Sequence, residues 1–178
     1  MVHIRKAKAT DAAAIAPLMH LAMEEITYFL IGQHNNAEAL AFLTHFIALP
    51  ANQYSYENCF VAEENGTIIG HLNCYPGAQL LELREPVLLY LAQHYNQHLT
   101  LDMETEAGED YIDTLATSPL AQGKGIGTML LQHLITYRKT QSTIPLALLV
   151  DMENPNAKKL YLRLGFIKVG EKNIFNKT

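Results

Sequence analysis

The chain has no tryptophan among its 178 residues and only two cysteines, Cys59 and Cys74. Two thiols are too few for the disulfide framework of a small secreted scaffold. A chain of this length buries about 70% of its unfolded surface, so it needs no staple or structural metal to fold. Charge is sparse as well: 17% of residues, with 13 Lys and Arg against 18 Asp and Glu. The resulting net charge of −5 disfavours non-specific nucleic-acid binding, which depends on basic side chains displacing counter-ions. No apolar run approaches the roughly 20 residues that span a bilayer. Met1-Val2-His3-Ile4-Arg5 opens on alternation rather than on a cleavable signal. With 49% hydrophobic residues and a mean hydropathy of +0.01, the expectation is a cytoplasmic protein of one domain, residues 1–178, with no nucleic-acid or membrane partner.

Periodicity supplies the elements. Residues 2–8 alternate as a short edge strand. Thr10-Asp11 starts a helix continued by Ile15, Leu18, Met19, Ala22, Met23 and Ile26, with a kink or late start expected at Pro17. A second helix runs from Ala37 to Leu49 and stops at Pro50. Two apolar runs flank Asn65-Gly66, a type I′ hairpin signal. Uniform pairing about that turn sets Cys59 opposite Leu72, with Cys74 on the same face, and predicts two free, half-buried thiols. Residues 76–110 read least clearly; Pro86–Leu99 suits a helix, and its His94 and His98 lack a third ligand that would make a metal site. Tyr111–Thr117 reads as a strand, Pro145–Val150 as a buried strand, Ala157–Leu164 as a short helix capped by Gly165, and residues 166–175 as a final strand or hairpin.

Between the strand ending at Thr117 and an amphipathic helix running to Arg138 lies Gln122-Gly123-Lys124-Gly125-Ile126-Gly127. A helix N-terminus has unpartnered N–H groups and roughly half a positive charge, and glycines let a phosphate approach the backbone. Lys124 adds a cation. A P-loop is excluded, since Gly125 follows Lys124 where Ser or Thr is needed and Ser118 replaces the first glycine. The dinucleotide pattern fails at Thr128.

The pattern that survives has two parts. Gln122, Gly125 and Gly127 follow Leu115-Ala116-Thr117 and Pro119; about 30 residues later come Asn154, Ala157, Tyr161, Gly165 and Phe166. Together they resemble the GNAT superfamily of acetyl-CoA-dependent N-acetyltransferases over residues 111–166, roughly a third of the chain. The resemblance implies an α/β (α+β) fold: a mixed, mostly antiparallel central sheet flanked by helices, here with a helical insertion around residues 76–110. It implies acetyl-CoA bound with its pyrophosphate on Gln122, Gly123, Lys124, Gly125, Ile126, Gly127 and Thr128. The pantetheine arm is expected against Leu115, Ala116 and Thr117, with Asn154 on that arm and Asn156 and Lys159 as further candidates. Tyr161 corresponds to the family's acid for the departing thiolate, although it also fits the apolar stripe of its helix. The implied activity is acetyl transfer to a primary amine of a small molecule or peptide by direct attack. A catalytically weak acetyl-CoA-binding or regulatory module is the alternative, and a homodimer is compatible with either.

An alkylamine with a pKa near 10 is about one part in a thousand neutral at pH 7, a cost of roughly 4 kcal/mol, so a base or orienting acid is required. Asp113 is the first candidate, expected by alternation on one face with Tyr111, Leu115 and Thr117; Glu104 and Glu106 are the next. Tyr28, Phe29, Tyr54, Tyr56, Tyr75, Tyr90 and Tyr111 are available as aromatic walls. Charge is also segregated. Six acids lie between Asp102 and Asp113, and six bases (Lys158, Lys159, Arg163, Lys168, Lys172 and Lys177) lie in the last 21 residues. The acidic stretch reads either as a solvated loop or as an attractor for a cationic acceptor.

Overall fold

A computed structural model describes Met1–Phe175, so Lys177 lies outside the described residues. Five strands form one sheet in the order β1-β2-β3-β4-β5: β1 Val2–Lys6, β2 Cys59–Glu64, β3 Thr67–Pro76, β4 Asp110–Thr117 and β5 Leu146–Leu148. The first four pair antiparallel, and β5 lies parallel to β4. Helices α1 (Ala12–Ala22), α2 (Glu24–Ile31), α3 (Asn36–Ala48) and α4 (Leu80–Tyr95) belong to one face. There Ile15, Met19, Phe42, Leu43 and Ile47 pack with Cys59 and Val61. Helix α5 (Ile126–Gln141) covers the other face, where Ile126, Leu130, Leu131 and Leu134 meet Phe60, Ala62, Leu72, Cys74 and Ile112. Helix α6 (Pro155–Arg163) comes after β5.

Helix α1 passes through Pro17 and breaks instead at Met23, where the chain turns by 102° into α2. Gly32, at φ 69°, then ends α2 in the left-handed conformation that favours glycine. Helix α4 starts six residues ahead of Pro86, because Leu80-Leu81-Glu82-Leu83-Arg84-Glu85 are strong helix formers that outweigh one lost hydrogen bond. It stops at Tyr95, with Asn96 at φ 51°, so His94 and His98 do not share a helical face.

Two bulges set the register. The hairpin turns at Asn65 and Gly66 (φ 51° and 78°), and Glu64↔Thr67 and Glu63↔Ile68 pair as expected. The pairing then shifts to Ala62↔Gly70, which leaves Ile69 as an extra residue. Cys59 therefore faces Asn73 rather than Leu72. A one-residue slip moves a side chain to the other face of the sheet, and Cys59 and Cys74 belong to different cores. Both are free and buried. The second bulge lies in β4, where Cys74↔Ile112 is followed by Asn73↔Thr114 and Asp113 is the extra residue.

The C-terminal expectations are corrected. Only Leu146–Leu148 of the 145–150 run is strand, and it is half-buried. After α6 the described chain forms no strand, only an isolated bridge at Ile174, because alternation from Phe166 lapses at Gly170.

Candidate active site

Strand β4 leads through Ser118 and a turn at Pro119–Ala121 to Gln122–Gly125 and then α5. Gly123 and Gly125 hold φ 78° and 75°, and a Cβ on either would meet nothing within 4 Å. The constraint there is conformational, not steric. The first intrahelical bond is Met129 N–H to the Gly125 carbonyl, so the amides before it lack intrahelical acceptors. No acid lies in the first turn of α5. A cavity of about 520 Å³ opens at this N-terminus, lined by Thr117, Gln122, Gly123, Gly125, Ile126, Gly127 and Thr128 from the loop side, and by Asn156, Lys159 and Arg163 from α6. Two cations facing a helix N-terminus make an anion site. Lys124 is exposed and does not line this cavity.

The approach to that site comes from how β4 and β5 diverge. Strand β4 pairs with β3 from Gly70↔Thr117 to Pro76↔Asp110, but with β5 only at Asp110, Tyr111 and Ile112. Past Ile112 the β5 side of β4 has no partner strand, so Leu115, Ala116 and Thr117 lie along an open edge. Thr117 Oγ1 and a Leu115 methyl stand 3.9 and 4.0 Å from where a Gly127 Cβ would be, which joins this edge to the glycine loop. The Asn154 side chain caps α6, accepting from Ala157 N–H at 3.1 Å.

The second half of the site is built on the β4 bulge. Expected on one face with Tyr111, Leu115 and Thr117, Asp113 shares a face with Tyr111 only. The bulge flips the strand residues beyond it, so Leu115 packs with Ile126 and Leu130 on the α5 face. Asp113 is half-buried. Its Oδ2 accepts from Gln53 Nε2 at 3.1 Å and Tyr75 Oη at 3.0 Å, and its Oδ1 accepts no hydrogen bond among the described residues. Desolvation raises its pKa, opposed by those two donors and by Arg84. Glu104, 9% exposed, forms an ion pair with Arg84. Burial first, and the Asp113 charge second, push Glu104 up to about 7 against the pull of Arg84. Arg84 also donates to the Asp102 carbonyl at 2.9 Å, and its Nε has no partner among the described residues. Tyr54, Tyr75 and Tyr111 surround these groups, and burial raises the pKa of each.

Asp113, Glu104, Glu106, Tyr54, Tyr111 and Tyr161 all line one cavity of about 1890 Å³ between α2, β4, β5 and α6. Tyr161 is half-buried, its ring edge-on to Phe166 at 5.9 Å, and burial raises its pKa. It therefore stays protonated near neutrality, the form a proton donor requires. The acidic stretch is not a solvated loop throughout. Glu104 and Asp110 are buried, and Asp110 pairs with Arg138 at 3.1 Å.

Gln53, Arg84 and Arg163 lie at the candidate site although the sequence reading did not mark them, and Tyr75, read there only as an aromatic wall, donates to Asp113. Arg163 carried a usable signal: with Asn156 and Lys159 it repeats at i, i+3, i+7, one face of α6. Gln53 and Arg84 carried none, since their partners lie 60 and 20 residues away.

The acetyltransferase (GNAT) family pattern matches residues 18–166. A curated relative from Bacillus subtilis (strain 168), named "uncharacterized N-acetyltransferase YhfO", is 28% identical over 166 residues, covering 93% of this chain and 89% of that protein. A solved structure of an N-acetyltransferase from Staphylococcus aureus Mu50 superposes with a TM-score of 0.86 at 25% identity, covering 98% of this chain and 96% of that one. Another, titled as an acetyltransferase, gives a TM-score of 0.84 at 29% identity, covering 98% of this chain and 94% of its own. These likenesses carry the mixed sheet flanked by helices that the sequence motifs implied.

Proposed function

This chain belongs to the GNAT acetyltransferase family, and on that premise we propose that it transfers the acetyl group of acetyl-CoA to a primary amine by direct attack of the amine nitrogen. The donor set suits the cosubstrate. Open N–H groups at the start of α5, with Lys159 and Arg163 opposite, would hold a pyrophosphate. The free edge at Leu115–Thr117 would hold an amide-bearing arm leading toward the larger cavity. Acetyl-CoA supplies the activated acetyl thioester; the protein supplies positioning and proton movement.

The acceptor amine is protonated in water and must lose a proton before its lone pair can form the new C–N bond. Asp113 Oδ1, unpartnered beside the cavity, takes that proton or orients the amine. Gln53 and Tyr75 fix the carboxylate through Oδ2 so that Oδ1 stays available. As the C–S bond breaks, sulfur carries the electron pair away and takes the Tyr161 hydroxyl proton; the acylated nitrogen gives up its second proton, which restores the tyrosine through solvent, and the proton held by Asp113 is the one released. The observation that carries this reading is the placement of Asp113 and Tyr161 on one cavity, with the cation-backed helix terminus opening on a second cavity that Thr117, on the same strand as Asp113, helps line.

The test is thiol release from acetyl-CoA with a panel of primary amines, comparing wild type with Tyr161→Phe. Proton donation of this kind contributes about 10²–10⁴-fold. We expect Tyr161→Phe to lower kcat by about a hundredfold while CoA still stabilises the protein in a thermal shift. A fall below about threefold removes Tyr161 from the role. Thermal stabilisation by CoA without turnover on any amine would make the chain a binding module instead.

A further inference from the structure

We propose that the Thr114 hydroxyl is a catalytic hydrogen-bond donor to the acetyl carbonyl oxygen, and that His71 is the residue that positions it. This rests on the acetyltransferase reading above and adds two residues to its machinery. The two form a buried pair. His71 and Thr114 leave 0% and 5% of their surfaces exposed, and His71 Nε2 lies 2.9 Å from Thr114 Oγ1. Strand register brings them together: His71 is opposite Val61, and Thr114 is opposite Asn73, which is itself opposite Cys59. Val61 and Cys59 belong to the core beneath α1 and α3, so His71 and Thr114 share that face of the sheet. Among the described residues, no other hydrogen bond reaches the Thr114 hydroxyl.

Which ring nitrogen carries the proton decides what the pair can do. Burial keeps the imidazole neutral near pH 7, with its pKa drawn down to about 3, so one nitrogen is a donor and the other an acceptor. His71 Nδ1 is buried and has no hydrogen-bond partner among the described residues. A proton on Nδ1 would leave an orphaned N–H in the core and commit the Thr114 hydroxyl to Nε2. Buried N–H groups without an acceptor are rarer than acceptors without a donor. The proton therefore belongs on Nε2, which donates to Thr114 Oγ1. That leaves the hydroxyl hydrogen free to be given to a ligand.

The order of residues along β4 gives the hydroxyl its target. Leu115–Thr117 is the open edge that would hold the amide-bearing arm, and Asp113 is the group that would meet the amine. Thr114 stands between them, and it lines the large cavity together with Asp113 and Tyr161. The reacting carbonyl also has to lie between the arm and the amine. As the amine lone pair forms the C–N bond, the carbonyl π pair moves onto oxygen. Thr114 donates a hydrogen bond to that oxygen and keeps its proton. The pair returns to carbon as the C–S bond breaks, and Tyr161 supplies the proton to sulfur. The oxygen carries its charge only on the way through the transition state, so this donor acts on kcat. Removing one such donor typically costs about 10²–10³-fold.

Two measurements test it, one without any ligand. Nitrogen NMR of the histidine-labelled full chain, with the His71 signal assigned by its loss in His71→Gln, should show Nε2 protonated and Nδ1 bare. A proton on Nδ1 commits the hydroxyl to His71 and overturns the proposal. The second is thiol release from acetyl-CoA with a panel of primary amines. Thr114→Val keeps the shape and removes the hydroxyl; we expect kcat to fall about a hundredfold, with KM for acetyl-CoA and thermal stabilisation by CoA unchanged. Thr114→Ser should restore the rate. His71→Leu should lower kcat in wild type but add nothing in Thr114→Val, since the residue acts through the hydroxyl. Should His71→Leu fail to fold, the Thr114 variants and the tautomer still decide. A Thr114→Val kcat within about threefold of wild type, or an effect confined to KM, overturns the proposal and leaves acetyl transfer intact. Wild type that binds CoA but releases thiol with no amine overturns the acetyltransferase reading, and this proposal with it.

Discussion

Asp113 owes its position to being one residue too many. In a regular strand its neighbours Ile112 and Thr114 would share the face opposite to it; as the extra residue of a bulge it sits beside Thr114 on the side of Tyr75 and Gln53. Residue types alone were enough to nominate it, as they were for Tyr161, since an acid in the strand before the glycine loop is visible in a linear chain. Its partners were not, because each comes from a distant stretch without a local pattern. Asp113→Asn should have two effects. Loss of a base should cost about 10²–10⁴ in kcat/KM, measured by thiol release. Thermal stability should rise by a few degrees, since a desolvated carboxylate is replaced by a neutral amide of the same shape that can still accept from Gln53 and Tyr75. In wild type, kcat/KM should climb with pH as Asp113 ionises, and its acid limb should lie above the ordinary carboxylate range because burial raises that pKa. A melt in which Asp113→Asn loses stability would mean that the carboxylate is structural.

The elements were legible where one local rule decides them. The Asn65-Gly66 turn, the cap at Gly165 and the helix that opens at Ile126 all come from backbone preferences of single residues. Register was not legible past the turn, because Ile68 and Ile69 are both apolar and either can continue the alternation; only packing against α5 decides which is the extra one. The strand at 145–150 was read too long for a related reason. Its partner β4 is bulged at Asp113, so the two strands pair only as far as Ile112 and Leu148. Gly70 shows how closely sheet and helix meet at this point. A Cβ there would stand 2.8 Å from Ile126 Cγ2, 3.2 Å from Leu130 Cδ1 and 3.3 Å from the Ala116 carbonyl. Gly70→Ala should therefore cost about 1–3 kcal/mol as overpacking, read as a lower denaturant midpoint. Because Ile126 is the first residue of α5, the same change should weaken thermal stabilisation by CoA. A variant with wild-type midpoint and wild-type CoA response would show that α5 can retreat without disturbing its N-terminus.

Across the whole molecule, buried ionisable groups pull stability in opposite directions with pH. His71 is fully buried in β3, with Nε2 2.9 Å from Thr114 Oγ1, and desolvation pulls its pKa down to about 3 from 6.5. Below pH 6.5 the unfolded chain takes up a proton that the folded chain refuses, so stability falls as pH drops, by about 1.4 kcal/mol per unit for one such group. Asp11, held below its ordinary range by Arg5, adds to the loss at lower pH. Glu104 acts with the opposite sign. Its folded pKa near 7 against 4.5 means that its contribution is complete below 4.5 and is lost as pH rises toward 7. Between about 4.5 and 6.5 the His71 slope opposes that of Glu104, and Asp113, whose pKa burial also raises, adds to Glu104, so wild type should be flat or fall gently with pH there, with an acid limb beneath it. Removing one side exposes the other. Relative to wild type, the slope of unfolding free energy with pH from urea titrations should shift upward across that window by about 1.4 kcal/mol per unit in Glu104→Gln, and downward by a similar amount in His71→Gln. If both variants keep the wild-type profile, the two groups do not titrate in opposition.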